Sequence, residues 1–195
     1  MYTPIQVELG IIWNGFAYNG NTLLTFTPYI FIPMRDPEKV KQLLSLISDA
    51  FKGVQLEDGV SLHKTIYIDN YGDITEEEAR AIEKDERHDW QKLVDDPELL
   101  NVHGIGGISF FDAKGLRFHL PAYLTVAITH PVGEVTDSLL FTLTSKTDYN
   151  INRLEILDAS MKACIAAVLA YLNTLPEFEF DREKIDAVLP FYRNG

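Results

Sequence analysis

The stretch LRFHLPAYL, residues 116–124, sets Arg117 and His119 among Leu116, Phe118 and Leu120, just ahead of Pro121 and Tyr123. A guanidinium and an imidazole two residues apart could hold an anion or move a proton. On a strand the two would point the same way; on a helix His119 would share a face with Tyr123, and Arg117 with Leu120. Either geometry lets Arg117 pair with an acid of the 69–90 segment and tie that segment to the core, and this ion pair is the expectation. Asp85, Glu86 and Asp89 could accept from a cation or ligate a metal. The preferred reading is an exposed acidic helix face supported by i,i+4 partners such as Lys84 and His88.

Other constellations are weaker. Gly59-Val-Ser61-Leu-His63 invites a nucleophilic serine, but it lacks the second glycine of G-x-S-x-G, so a turn is expected. HGIGG, residues 103–107, has neither the lysine of a phosphate loop nor dinucleotide-turn spacing, and reads as a connection. His63, His88, His103, His119 and His130 are scattered, with no H-E-x-x-H or C-x-x-C spacing. No metal and no cofactor are expected. Cys164, the single cysteine, sits on an apolar helical stripe and is assigned to packing.

The elements that would position these groups read as α+β. Gln6–Trp13 and Thr22–Ile32 are β-branched and aromatic around the turn residues NGFAYNGN, predicting an N-terminal hairpin within residues 1–35. Asp36 can cap a helix that starts at Pro37, carries Val40, Leu43, Leu44, Ile47, Ala50 and Phe51 at helical spacing, and closes at Gly53. Thr75 and Glu78 have capping-box spacing, predicting a surface helix to about Leu93 fastened by Trp90. Asp112 can cap a turn through AKGLRF that Gly115 weakens, and Pro121 either begins a helix or kinks a longer one. Ser138–Ser145 reads as a strand, residues 158–174 as a long helix and Asp181–Leu189 as a short one. The expected architecture is one domain over residues 1–195, a small, mainly antiparallel sheet with about five packed helices.

Composition narrows the function classes. With 46% hydrophobic residues in 195, the chain can bury a core without metal or disulfide. Its net charge of −12 would repel a phosphate backbone, so nucleic acid is a poor partner. Residues 69–100 hold twelve Asp or Glu against four Lys or Arg, a face suited to steering a basic protein. The N-terminus lacks the pattern of a secretory signal, and apolar runs fall well short of the roughly 20 residues that span a bilayer; a cytoplasmic location without membrane attachment is expected.

Three ordered segments carry a family likeness: EDGVSLHKTIYIDNYG at Glu57–Gly72, EKDERHDW at Glu83–Trp90 and SFFDAKGLRFHLPAYL at Ser109–Leu124. In residues 51–128 the chain resembles a bacterial family of unknown function, with the first fifty residues a departure. The resemblance implies that His63, Asp69, Tyr71, Asp85, Asp89, Trp90, Arg117, His119 and Tyr123 are neighbours, as a ligand pocket or a polar network.

The leading expectation is a small acidic protein of the immunity or antitoxin type, covering the active surface of a basic or toxin-like partner. Glu83, Asp85, Glu86 and Asp89 would steer, and Trp90 would anchor if it lies outside the core. The competing expectation is a small-ligand domain or hydrolase that uses the Asp85, Asp89, Arg117 and His119 cluster with a carboxylate or histidine base, which requires those side chains to converge on a hollow.

Overall fold

A computed structural model describes residues 35–101 and 107–193, and among them there is no strand. The described residues form eight α-helices: α1 (Pro37–Ala50), α2 (Lys64–Asp69), α3 (Glu76–Lys84), α4 (Ala113–Thr129), α5 (Glu134–Thr144), α6 (Asp148–Leu154), α7 (Ala159–Leu172) and α8 (Arg182–Arg193). The expected α+β class with an antiparallel sheet is therefore corrected to an all-helical one for the described residues. The hairpin expected within residues 1–35 has its strands, Gln6–Trp13 and Thr22–Ile32, outside them. No single described helix is long and apolar enough to cross a membrane.

The expected strand Ser138–Ser145 is the body of α5. Its β-branched composition misled, because burial follows the helical period: Ser138, Leu139, Thr142 and Leu143 are buried while Phe141 faces out. Glu134 and Asp137 in the first turn favour the positive end of the helix dipole. Packing against α4 completes the override of propensity.

α4 is the central element. Apart from Arg117, every residue from Gly115 to Ile128 is buried, as expected of a helix surrounded by others, and α1, α5, α6 and α7 all pack on it. Pro121 lies inside this single 17-residue helix rather than beginning one, and contributes no backbone N–H to it. Asp112 caps the helix through Gly115 N–H at 2.7 Å and also accepts Val60 N–H at 2.9 Å, so one carboxylate joins the 59–61 turn to the start of α4. α1 follows the sequence reading, with Asp36 accepting from the amides of Glu38 and Lys39, and α7 follows it with Asp158 as cap.

The helix expected from Thr75 to about Leu93 stops at Lys84. Thr75 and Glu78 do form the capping box, but Asp85 leaves the helix in an extended conformation and Glu86 accepts the backbone N–H groups of Arg87, His88 and Asp89. That side-chain competition for backbone donors ends the helix. A short 3₁₀ turn, Trp90–Leu93, then delivers Trp90 to the core.

Candidate protein-interaction surface

His63 and Asp85, two members of the sequence-derived cluster, meet directly. His63 immediately precedes α2, and Asp85 follows α3. Asp85 accepts the His63 backbone N–H at 2.9 Å through one oxygen and contacts His63 Nδ1 at 2.5 Å through the other. The Asp85 side chain is only 2% exposed, the imidazole 25%. The hydrogen bond to Asp85 raises the His63 pKa, partly against desolvation. This carboxylate closes the neck of an excursion, residues 63–85, that carries α2 and α3.

The remaining members go elsewhere. His119 is fully buried, stacked on Phe111 with ring centroids 4.1 Å apart, and its Nδ1 meets the Gly115 carbonyl at 2.7 Å. A carbonyl only accepts, so Nδ1 carries the proton; Nε2 is buried with no protein partner. Tyr123 is buried and its hydroxyl donates to the Leu100 carbonyl at 2.8 Å. Arg117 does not pair with the 69–90 segment as expected; it reaches Glu57 at 2.5 Å, beside Lys114, which bridges Glu57 and Asp58. The turn at Gly59 packs so closely on Gly115 that acids just before it meet the cations of α4 first. Asp89 caps the Trp90 turn through Gln91 N–H, and Asp69 and Tyr71 are exposed.

The acidic face drawn from sequence is also rearranged. Trp90 is 7% exposed and its indole donates to the Phe51 carbonyl at 3.1 Å, so it is a core residue and not a surface anchor. Glu86 is committed to three amides and to Lys92 at 2.8 Å, and Lys92 first, then the amides of His88 and Asp89, hold its carboxyl at about 2. Glu83 remains at the surface. Four cavities among the described residues, of about 140 to 510 Å³, are not lined by His63, Asp85, Arg117 or His119. Asp89 lines one of about 400 Å³ with Ser48, Asp49, Lys52, His88 and Trp90. Ser61 is fully buried, and burial pushes the Cys164 thiol up to about 12, which leaves neither poised to attack a substrate. Among the described residues no group of three His, Cys, Asp or Glu could hold a metal ion.

What the excursion does present is a surface. α3 buries none of its residues, and Glu76, Glu77 and Glu83 are exposed along it, with Asp73 on the turn before. Beside them, Tyr67, Ile68 and Tyr71 are 42%, 37% and 100% exposed.

A family model matches residues 39–194. The chain belongs to DUF6714, a family of unknown function. Neither a curated protein nor a solved structure matches the chain. The match begins inside α1, and all three motif segments of this DUF6714 member lie within it: the first forms the turn and α2, the second the loop after α3, and the third the start of α4.

Sequence reasoning missed Arg153, which is buried on α6 and donates to the carbonyls of Ile108, Ser109 and Phe111. The available signal was Tyr149, four residues earlier, whose ring lies 4.4 Å from the guanidinium carbon. It also missed the Gly59–Gly115 approach, because two glycines 56 residues apart in the chain announce no contact.

The buried imidazole gives this DUF6714 member an acid-sensitive core. Burial lowers the His119 pKa from 6.5 to about 4, so between those values the unfolded chain binds a proton that the folded chain does not. The His119 contribution to stability therefore falls as pH drops through that window, by about 1.4 kcal/mol per unit at its steepest, and is flat above it. His63 works the other way: its raised pKa gives stability that is full below the unfolded value and is lost as pH climbs through the folded one. His119→Leu is expected to flatten the acid slope in urea unfolding measured above the carboxylate range; an unchanged slope would exclude His119 as its source.

Proposed function

We propose that this protein is a small cytosolic binding module of the immunity or antitoxin type, which uses the acidic 63–85 excursion to engage a basic, toxin-like partner protein. One observation carries the reading: α3 supplies nothing to the core, yet it is properly capped and displays Glu76, Glu77 and Glu83 to solvent. A helix held in place without a core contribution is retained for what it shows to others. In a chain of net charge −12, that display steers a cationic partner and repels nucleic acid. The hydrolase alternative needs Asp85, Asp89, Arg117 and His119 to converge, whereas Asp85 is spent on His63, Arg117 on Glu57, and His119 is sealed in the core.

Co-expression with the product of each flanking gene, followed by copurification, tests the proposal. A stable complex is expected, with growth arrest by the partner alone relieved by co-expression. Reversing Glu76, Glu77 and Glu83 to lysine should slow association roughly 10-fold or more, and added salt should do the same to the native pair. Purification without any partner from the natural host, with the neighbouring genes expressed, would refute it.

A further inference from the structure

We infer that Tyr71, together with Tyr67 and Ile68, is the anchor of the interface, and that the partner it fits is a protein surface with an apolar socket ringed by lysine or arginine. This rests on the reading above and names the contact within it. Tyr71 follows Tyr67 by four residues and Ile68 by three, just past the end of α2, and the Tyr67 hydroxyl lies 3.3 Å from where a Cβ on Gly72 would stand. The turn is firmly made: Tyr71 N–H donates to the Ile68 carbonyl at 3.2 Å, and Gly72 N–H to the Tyr67 carbonyl at 2.8 Å.

Folding alone does not account for the tyrosine. Tyr71 has φ 53°, the left-handed region where a bulky side chain is strained and Asn or Gly is at home. It is completely exposed, so no burial compensates that strain within the chain. A large amphipathic side chain held at a cost, on a made turn, in full solvent, has the character of an interface hot spot.

The rim chooses the occupant. From Thr65 to Ala79 the chain carries Asp69, Asp73, Glu76, Glu77 and Glu78 and no Lys or Arg. A second copy of this chain would bring acid against acid, and an anionic lipid surface would be repelled in the same way. A cationic ring around an apolar socket meets both the carboxylates and the rings.

The test uses the full chain and two labelled synthetic peptides of equal length and positive charge, one alternating Lys with Leu, the other Lys with Ser. The Lys/Leu peptide is expected to bind roughly tenfold more tightly, with affinity falling as salt is raised. Tyr71→Asn should remove most of that advantage while the melting temperature stays the same or rises, and Tyr71→Phe should retain it. Equal binding of the two peptides, or a Kd for Lys/Leu unchanged by Tyr71→Asn, overturns the inference. So does sedimentation showing a dimer that Tyr71→Asn dissociates, since the occupant would then be a second copy. If a flanking-gene product forms a complex indifferent to Tyr71→Asn, the binding-module reading stands and the anchor assignment alone falls.

Discussion

Gly115→Ala is expected to lower the melting temperature by roughly 5–10 °C, and Gly115→Val to yield no folded protein. A Cβ at this position would lie 2.5 Å from the Val60 carbonyl oxygen, 2.9 Å from Asp112 Oδ1 and 3.2 Å from the Phe111 ring. The first of these is backbone and cannot swing aside. The Asp112 carboxylate is equally fixed, because it holds the amides of Gly115 and Val60 together. Relief therefore requires the 59–61 turn to move off α4, but a Cβ at Gly59 would meet Gly115 N at 2.7 Å, so the approach is tight from both sides. Overpacking of this kind costs about 1–3 kcal/mol when neighbours can adjust, and these cannot, which places the alanine variant at the upper end. Thermal unfolding followed by circular dichroism measures it. A melting temperature within a degree or two of the parent chain would show that the turn yields, and that the glycine pair is not what sets the distance.

That contact shows where sequence was legible. Gly115 read as a residue that weakens a helix, which is true of its intrinsic propensity and silent about the backbone lying against it. Caps were legible because they are local: Asp36, Thr75 and Asp112 each act on amides two or three residues away. The stripes of α1 and α7 were legible because burial repeats along one element. α5 was not, since Thr, Leu and Phe in alternation satisfy a strand pattern and a helix pattern alike, and only the neighbouring α4 decides between them. Of the candidate site, the closeness of His63 to Asp85 was implied by the family likeness and is present, while Arg117 is bonded to Glu57 and Tyr123 to the Leu100 carbonyl. Motif segments that recur together can do so because they pack together, as Gly59 does on Gly115, and such residues need not share a solvent-filled hollow. Tyr71 was legible as a residue of interest, but its exposure depends on a left-handed turn that residue type alone would argue against.

Arg153→Met is expected to destabilise the fold by about 3 kcal/mol, even though it removes the cost of burying a charge. Arg153 is 5% exposed, and among the described residues no carboxylate is bonded to its guanidinium. It instead donates from Nη1 to the carbonyls of Ile108, Ser109 and Phe111 at 3.1, 3.2 and 2.8 Å, while Nη2 donates to Asn150. Burial lowers its pKa, with Tyr149 and then Asp112 pulling the other way, but a guanidinium stays charged throughout the working pH range. Methionine would fill the volume and leave those oxygens behind. The Tyr149 hydroxyl still reaches Ser109 and Phe111, at 3.2 and 3.4 Å, so the Ile108 carbonyl bears the full loss and the other two a part of it. Unsatisfied buried carbonyls cost about 1–3 kcal/mol each. Lysine should rescue only partly, because a single ammonium cannot reproduce the planar fork that serves the carbonyls and Asn150 together. The backbone segment at stake, residues 108–112, is the same one that Gly115 and Asp112 fasten to the 59–61 turn. Arg153→Met and Gly115→Ala should therefore be non-additive in a double-mutant cycle, with a coupling of about 0.5 kcal/mol or more. Additivity within about 0.3 kcal/mol would mean that the two ends of this segment are held independently.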